Sequence, residues 1–339
     1  MKQVSFRNRR ALQIENQLIR LTTVIEGGHI AEITHKRTGI NPLWVPPWPS
    51  IEPSVYSPLK HPEYGTASEG RLLSGILGHN LCLDLFGPPS DQEAAAGIPL
   101  HGETNTVEWT FTERSNGLTG SCVLPGSQLR FTREIQLLAD EVQFAETVEN
   151  LSPFDRPIAW TEHVTLGPPF LDRGTTEFRT SATRSRTIGT PSIDFDWPRL
   201  PESDGQFKNL ERYTNAAASG SFSTHLMDPS KDVGYFIAYS PKSEVLVAYL
   251  WRREDFPWLG MWEENHLRIH PPWNGRTMTC GLEFSASPFP ETRREMIDRN
   301  RLFDTPCYRW IPGKSSVGVQ FRAIVRTAKA IPADHTALL

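Results

Sequence analysis

Glu283, His163, His101 and Arg71 are residues whose types and surroundings could perform acid/base chemistry on a small polar molecule. Glu283 lies in Arg276-Thr-Met-Thr-Cys-Gly-Leu-Glu-Phe-Ser285. Alternation there puts Met278, Cys280, Leu282 and Phe284 on one face and Thr277, Thr279, Gly281, Glu283 and Ser285 on the other. A carboxylate midway along a strand, among small polar neighbours and beside a glycine that leaves room, suits a ligand pocket; a solvent-facing strand residue fits the same pattern. His163 lies in Pro157-Ile-Ala-Trp-Thr-Glu-His-Val-Thr-Leu-Gly167, a strand running into a turn. Imidazole titrates near neutrality and can act as a general acid, although a hydrogen-bonded structural histidine would satisfy the spacing equally. His101, in Leu100-His-Gly-Glu103, has the same two readings, and Arg71, in Glu69-Gly-Arg-Leu-Leu73, reads on its own as a surface cation.

The elements that must position these residues are strands. Gln17–Ile25, the Gly27-Gly28 turn and His29–Thr34 read as a hairpin. Thr119–Val123, Gln128–Leu138 and Glu141–Glu149 read as a three-strand meander, and further strands are expected over Ile158–Leu166, Gly234–Tyr239, Glu244–Trp251, Arg276–Ser285 and Ser316–Thr327. Helix signals are confined to Arg293–Arg301, which follows Pro290-Glu291-Thr292, and to a single turn over Asp91–Gly97. Many strands, few helices and frequent Pro/Gly turns predict an all-β chain built as a large antiparallel sandwich, with helix under ~15% of residues. No fixed-period repeat argues for a propeller. No composition shift marks a boundary, so residues 1–339 read as one domain. Two Pro- and aromatic-rich segments, Pro42–Pro62 and Ser192–Gln206, are expected as long loops covering a binding site.

Composition narrows the functional classes. The 339 residues carry a formal net charge of −4 with interspersed signs, which provides no electrostatic footprint for nucleic acid. The longest unbroken apolar stretch, Val245–Trp251, is far shorter than the ~18 residues a membrane helix needs. The N-terminal stretch has no apolar core of a secretory signal, and Cys82, Cys122, Cys280 and Cys307 are spaced like neither metal ligands nor a disulfide framework. Buried free thiols in a reducing cytoplasm are the expectation.

Taken together and in order, the four segments resemble the aldose 1-epimerase (galactose mutarotase-like) superfamily. Gly27-Gly28-His-Ile-Ala-Glu-Ile33 with Thr38-Gly39-Ile-Asn41 is similar to that family's opening hairpin; Arg71 matches the Arg of its Asn-Arg-Ile segment, with Gly70 in place of the Asn. Leu100-His101-Gly102 followed by Trp109 matches the His-Gly segment. His163 matches the His of a His-x-Tyr-Phe-Asn-Leu strand, written here His-Val-Thr-Leu-Gly, and Glu283 the Glu of Leu-Glu-Pro-Gln, written here Leu-Glu-Phe-Ser. The resemblance implies a β-supersandwich of the galactose mutarotase-like type whose concave face binds a small-molecule sugar, with no metal or organic cofactor. Opening a hemiacetal ring requires a base at the anomeric hydroxyl and an acid at the ring oxygen. By resemblance Glu283 is the base and His163, as imidazolium, the acid, while His101 and Arg71 hold the ring oxygen and hydroxyls. Trp258-Leu-Gly-Met-Trp-Glu-Glu-Asn265 is similar to the family's aromatic pocket segment, which offers Trp262 as a stacking platform and Glu263 as a hydroxyl acceptor. Asp228 falls near the position of a hydroxyl-binding Asp.

Three other readings compete. A metal-dependent β-barrel sugar isomerase would use His101, Glu103 and His163; His266 and His270 in an extended segment would stand ~13 Å apart, too far for one metal. A non-catalytic carbohydrate-binding or sensing protein could keep the groove without the chemistry. A glycoside hydrolase would need a second carboxylate about 5–10 Å from the first.

Overall fold

The computed structural model describes residues 1–65, 69–202 and 205–339. Strands make up 48% of the chain, with three short α-helices among the described residues. Two antiparallel sheets dominate. The first has twelve strands, ordered Lys2–Phe6, Arg9–Glu15, Ile19–Val24, Ile30–His35, His79–Asp84, Arg156–Leu166, Met278–Ser285, Trp258–Asn265, Ser219–Met227, Ala182–Thr187 and Asp194–Asp196, while Arg309–Ile311 pairs with the far end of Arg156–Leu166. The second has eight, ordered Glu177–Thr180, Val233–Ser240, Val245–Arg252, Ser316–Thr327, Glu141–Asn150, Leu129–Leu138, Gly117–Leu124 and Thr110–Arg114. This is the expected β-supersandwich, and each strand anticipated from alternation is present within a few residues of its expected bounds.

Alternation shows where the core sits. In Leu129–Leu138 the residues Leu129, Phe131, Ile135 and Leu137 face inward, and Val142, Phe144 and Val148 answer from Glu141–Asn150. Together with Trp160, Leu282 and Phe284 of the first sheet they form a layer shielded from water on both sides. Arg156–Leu166, by contrast, is buried on both faces from Ile158 onward. Its outer face is covered from one end by the Arg293–Arg299 helix, whose Met296 packs with Cys82, Phe86 and Ala159. From the other end comes an aromatic cluster of Trp44, Trp48, Tyr56, Tyr64 and Trp273, against which Trp262 packs. Between these covers lies the catalytic-candidate face of the central strands.

Pro42–Pro62 thus does run as a loop over this face. Ser192–Gln206 differs from the long loop expected: Asp194–Asp196 extends the first sheet and Arg199–Pro201 pairs with Phe207–Asn209, while residues 203 and 204 lie outside the described residues. Polar short strands at a sheet edge carry no hydrophobic alternation, so their sequence resembles a loop. The four cysteines are free and buried.

Candidate active site

Strand register builds the site. Asn80, His163, Glu283, Gly260 and Thr224 are successive cross-strand partners, so they form one row on one face of the first sheet. Within that row His163 Nε2 lies 3.1 Å from Glu283 Oε1. The contact is not aligned as a hydrogen bond, and Oε1 has no hydrogen-bond partner among the described residues. Glu283 is 1% exposed and His163 5%. Two glycines make room for the carboxyl: a Cβ at Gly281 would fall 2.3 Å from Oε1, and one at Gly260 would fall 3.2 Å from Oε2. Small residues on the Glu283 face therefore serve the carboxyl group itself.

Burial acts oppositely on the two partners. Loss of water pushes the Glu283 carboxyl up to about 8 and the His163 imidazole down to about 3, with His101 adding a smaller downward push on His163. Near neutrality the pair therefore holds one proton, carried by the carboxyl, while the imidazole is a free base. His163 Nδ1 lies 3.0 Å from Thr165 Oγ1, two residues along the same strand face, which fixes the ring. Thr165 was not singled out from the sequence, although period 2 places it beside His163.

His101 arrives on a left-handed backbone, φ 64°, with its ring edge-on to His163 at 5.5 Å between centroids. Its Nδ1 is hydrogen-bonded to the carbonyl oxygen of Phe86. A carbonyl only accepts, so Nδ1 carries the hydrogen and Nε2 is left with a lone pair. Burial holds the ring neutral, down to about 4. His101 can therefore accept from a sugar hydroxyl but not donate to a ring oxygen, which narrows the role the resemblance implies. Trp262, half-buried, stands 6.1 Å from the His163 ring, is braced edge-on by Trp273 at 5.9 Å and has the Arg268 guanidinium 5.5 Å above it. Phe222 lies over Gly260 on the other side and touches Phe86.

Arg71 lies on the exposed side of the Gly70–Gly75 helix, whose Leu72 and Leu73 join the aromatic cluster beside Trp262. Its guanidinium has no hydrogen bond or ion pair among the described residues. Glycine at position 70 has a steric reason: a Cβ there would lie 2.2 Å from the Tyr56 hydroxyl.

Two expected ligands fall elsewhere. Glu263 pairs across strands with Cys280, hence faces away from Trp262 and Glu283, and is buried against Lys208 Nζ at 2.8 Å. Adjacent strand residues point to opposite faces, so Trp262 and Glu263 could not both line one pocket. Asp228 follows the end of Ser219–Met227 and accepts from Ser230 N and Oγ within its own turn, four residues beyond Thr224 of the site row. The metal reading also loses a ligand, because Glu103 accepts from Gly126 N, Ser127 N and Ser127 Oγ. Among the described residues no three His, Cys, Asp or Glu side chains gather as a metal site.

Directly behind the row is a buried ionic cluster that sequence reading missed. Glu162, pointing opposite to His163, accepts from Arg133 Nη2 at 2.8 Å and Trp160 Nε1 at 3.1 Å and contacts His79 Nε2 at 2.8 Å. Arg133 also holds Glu146, and the Tyr249 hydroxyl meets His79 Nδ1 at 3.2 Å. These groups come from both sheets. Burial raises both carboxyls against the opposing pull of Arg133.

No protein-family model matches the chain, and no curated protein matches it. Solved structures do. A Klebsiella pneumoniae protein named as a candidate aldose 1-epimerase superposes with TM-score 0.70 at 11% identity, covering 95% of this chain and 80% of its own. A galactose mutarotase-like protein from Clostridium acetobutylicum gives 0.65 at 12%, covering 96% and 98%. A candidate aldose 1-epimerase from Escherichia coli K12 gives 0.61 at 12%, covering 94% and 99%. No described helix is long and apolar enough to cross a membrane. Two sheets stacked as in these proteins, over nearly the whole chain and at such low identity, give this protein the galactose mutarotase-like fold.

Proposed function

We propose that this protein interconverts the anomers of a sugar by acid/base ring opening. The observation that carries the reading is the His163–Glu283 contact: two buried titratable groups 3.1 Å apart, beside a half-buried Trp. Trp262 offers its face to the apolar side of a pyranose, and His101 Nε2 accepts from a hydroxyl. The Glu283 carboxyl donates its proton to the ring oxygen as His163 Nε2 takes the proton of the anomeric hydroxyl, and the C1–O5 bond breaks to leave the open-chain aldehyde. After rotation about C1–C2, imidazolium returns a proton to the aldehyde oxygen and the carboxylate removes one from the C5 hydroxyl as the ring recloses on the other face. The cycle returns every proton and needs no external donor. In the resting site the roles are thus the reverse of those expected by resemblance, because burial places the single proton on the carboxyl rather than on the imidazole.

The Glu283→Gln variant tests this, since it keeps size and polarity but neither releases nor accepts the proton. Saturation-transfer NMR on an aldose that the wild type turns over should show interconversion reduced by ~10²–10⁴, with affinity changed far less. An unchanged rate in the folded variant would leave a binding protein.

A further inference from the structure

A second cleft lies at the far end of the central strands, beyond the site row. Pro257 leads into the Trp262 strand, Ala286 follows the Glu283 strand, and Arg309–Ile311 pairs with the start of the His163 strand; together with the 300–308 turn they enclose about 630 Å³. Its charge is unbalanced. Arg252, Arg253, Arg301 and Arg309 line it, against only Glu254 and Asp255. Buried Asp255 accepts from Arg252 Nε and Nη2 at 2.9 Å each and from Arg309 Nη1 at 3.1 Å, and Glu254 pairs with Arg252. Arg253 and Arg301 reach only the carbonyl oxygens of Lys231 and Asp304, and neither has an ion pair among the described residues. Asp228, the acid whose charge reaches Arg253, is turned into its own Ser230 hydrogen bonds. Beside these cations Trp310 is 55% exposed, and Tyr308 meets it edge-on at 5.8 Å.

Gathering four guanidiniums on one small surface is unfavourable unless an anion joins them, and Glu254 and Asp255 together offset only two of the four charges. An exposed indole next to unpaired guanidiniums offers a flat apolar platform and a fork of N–H donors side by side. We propose that this cleft binds a phosphate ester carried on a ring compound, with the phosphate held by Arg253, Arg301 and Arg309 and the ring laid on Trp310. Nucleotides and sugar phosphates share that chemistry. The site is independent of the sugar chemistry at Glu283 and His163 and stands whether or not that chemistry occurs.

The test is calorimetric titration of the whole protein at low ionic strength with AMP, ribose 5-phosphate, adenosine and inorganic phosphate. Saturable binding of one ester, at least about tenfold tighter than adenosine or inorganic phosphate, is the expected result, and the ester that wins identifies the source. The double variant Arg253→Gln/Arg301→Gln should weaken it about tenfold or more, and Trp310→Ala should weaken it separately; all three positions are solvent-accessible, so folding can be checked by an unchanged circular dichroism spectrum. No saturable ester binding, binding unaffected by these changes, or inorganic phosphate binding as tightly as either ester would each overturn the proposal.

Discussion

At Glu283 and His163 the absence of water does more than any single neighbour. A carboxyl whose Oε1 has no hydrogen-bond partner among the described residues keeps its proton to about 8, and an imidazole beside it keeps its lone pair down to about 3. The pair is active with one proton, so kcat/KM should fall as His163 gains a second near pH 3 and as Glu283 loses the first near pH 8, with a plateau between. A decline centred well below pH 7 on the alkaline side would contradict this. The same ordering is readable without a substrate. Because the folded-state value of Glu283 lies above its ordinary 4.5, the proton favours the folded state below 4.5 and that advantage is lost as pH rises through about 8. Glu283→Gln, which never ionises, should therefore match the wild type at pH 4 and exceed it by roughly 5 kcal/mol at pH 9, measured by urea unfolding at each pH. Equal stabilities at pH 9 would mean a solvated carboxylate. Sequence spacing placed this residue on the face it occupies, and the family resemblance pointed to its role, but neither could supply the order of the two pKa values, which depends on how completely the loops exclude water.

The strand is the unit that turns such residues into a site. Its period of two sets Thr165 beside His163 on one face, with Oγ1 at Nδ1. If that hydroxyl accepts the Nδ1 hydrogen, it keeps the Nε2 lone pair aimed at Glu283. Thr165→Val should lower kcat about tenfold or more with KM little changed, and Thr165→Ser should restore it; a shift of the acidic limb in the Val variant would separate ring orientation from packing. The same period explains what the sequence made legible. Leu129–Leu138 and Ser316–Thr327 alternate cleanly and were readable to the residue or nearly so. Trp258–Asn265, read as a pocket segment rather than as a strand, has Trp262 on the face of Glu283 and Glu263 on the opposite one; its alternation was the signal that would have separated them. The Gly70–Gly75 helix has six residues with glycine at both ends, so no propensity announces it, and tertiary packing of Leu72 and Leu73 holds it in place.

Across the whole molecule the ionic cluster of Arg133, Glu146, Glu162 and His79 joins the two sheets behind the site row. Removing Arg133 would leave two buried carboxyls without their cation. Arg133→Met, close in size, should cost about 3–5 kcal/mol in urea unfolding near neutral pH. A loss under about 1 kcal/mol would show that the carboxyls relax by taking up protons instead. Single residues such as Arg133 were invisible in the sequence because an arginine within an alternating strand looks the same whether its face meets water or the opposite sheet.

Glu162 and His163 are neighbours on one strand, the first committed to the sheet-to-sheet cluster and the second to the pocket. A one-residue insertion or deletion between Ile158 and Thr165 would exchange their destinations, stranding an imidazole where Arg133 needs a carboxylate and emptying the site in the same stroke. The two requirements therefore constrain strand length together, because a shift that spoils one spoils the other, whereas the segments that carry Trp44, Trp48 and Trp273 lie outside that register.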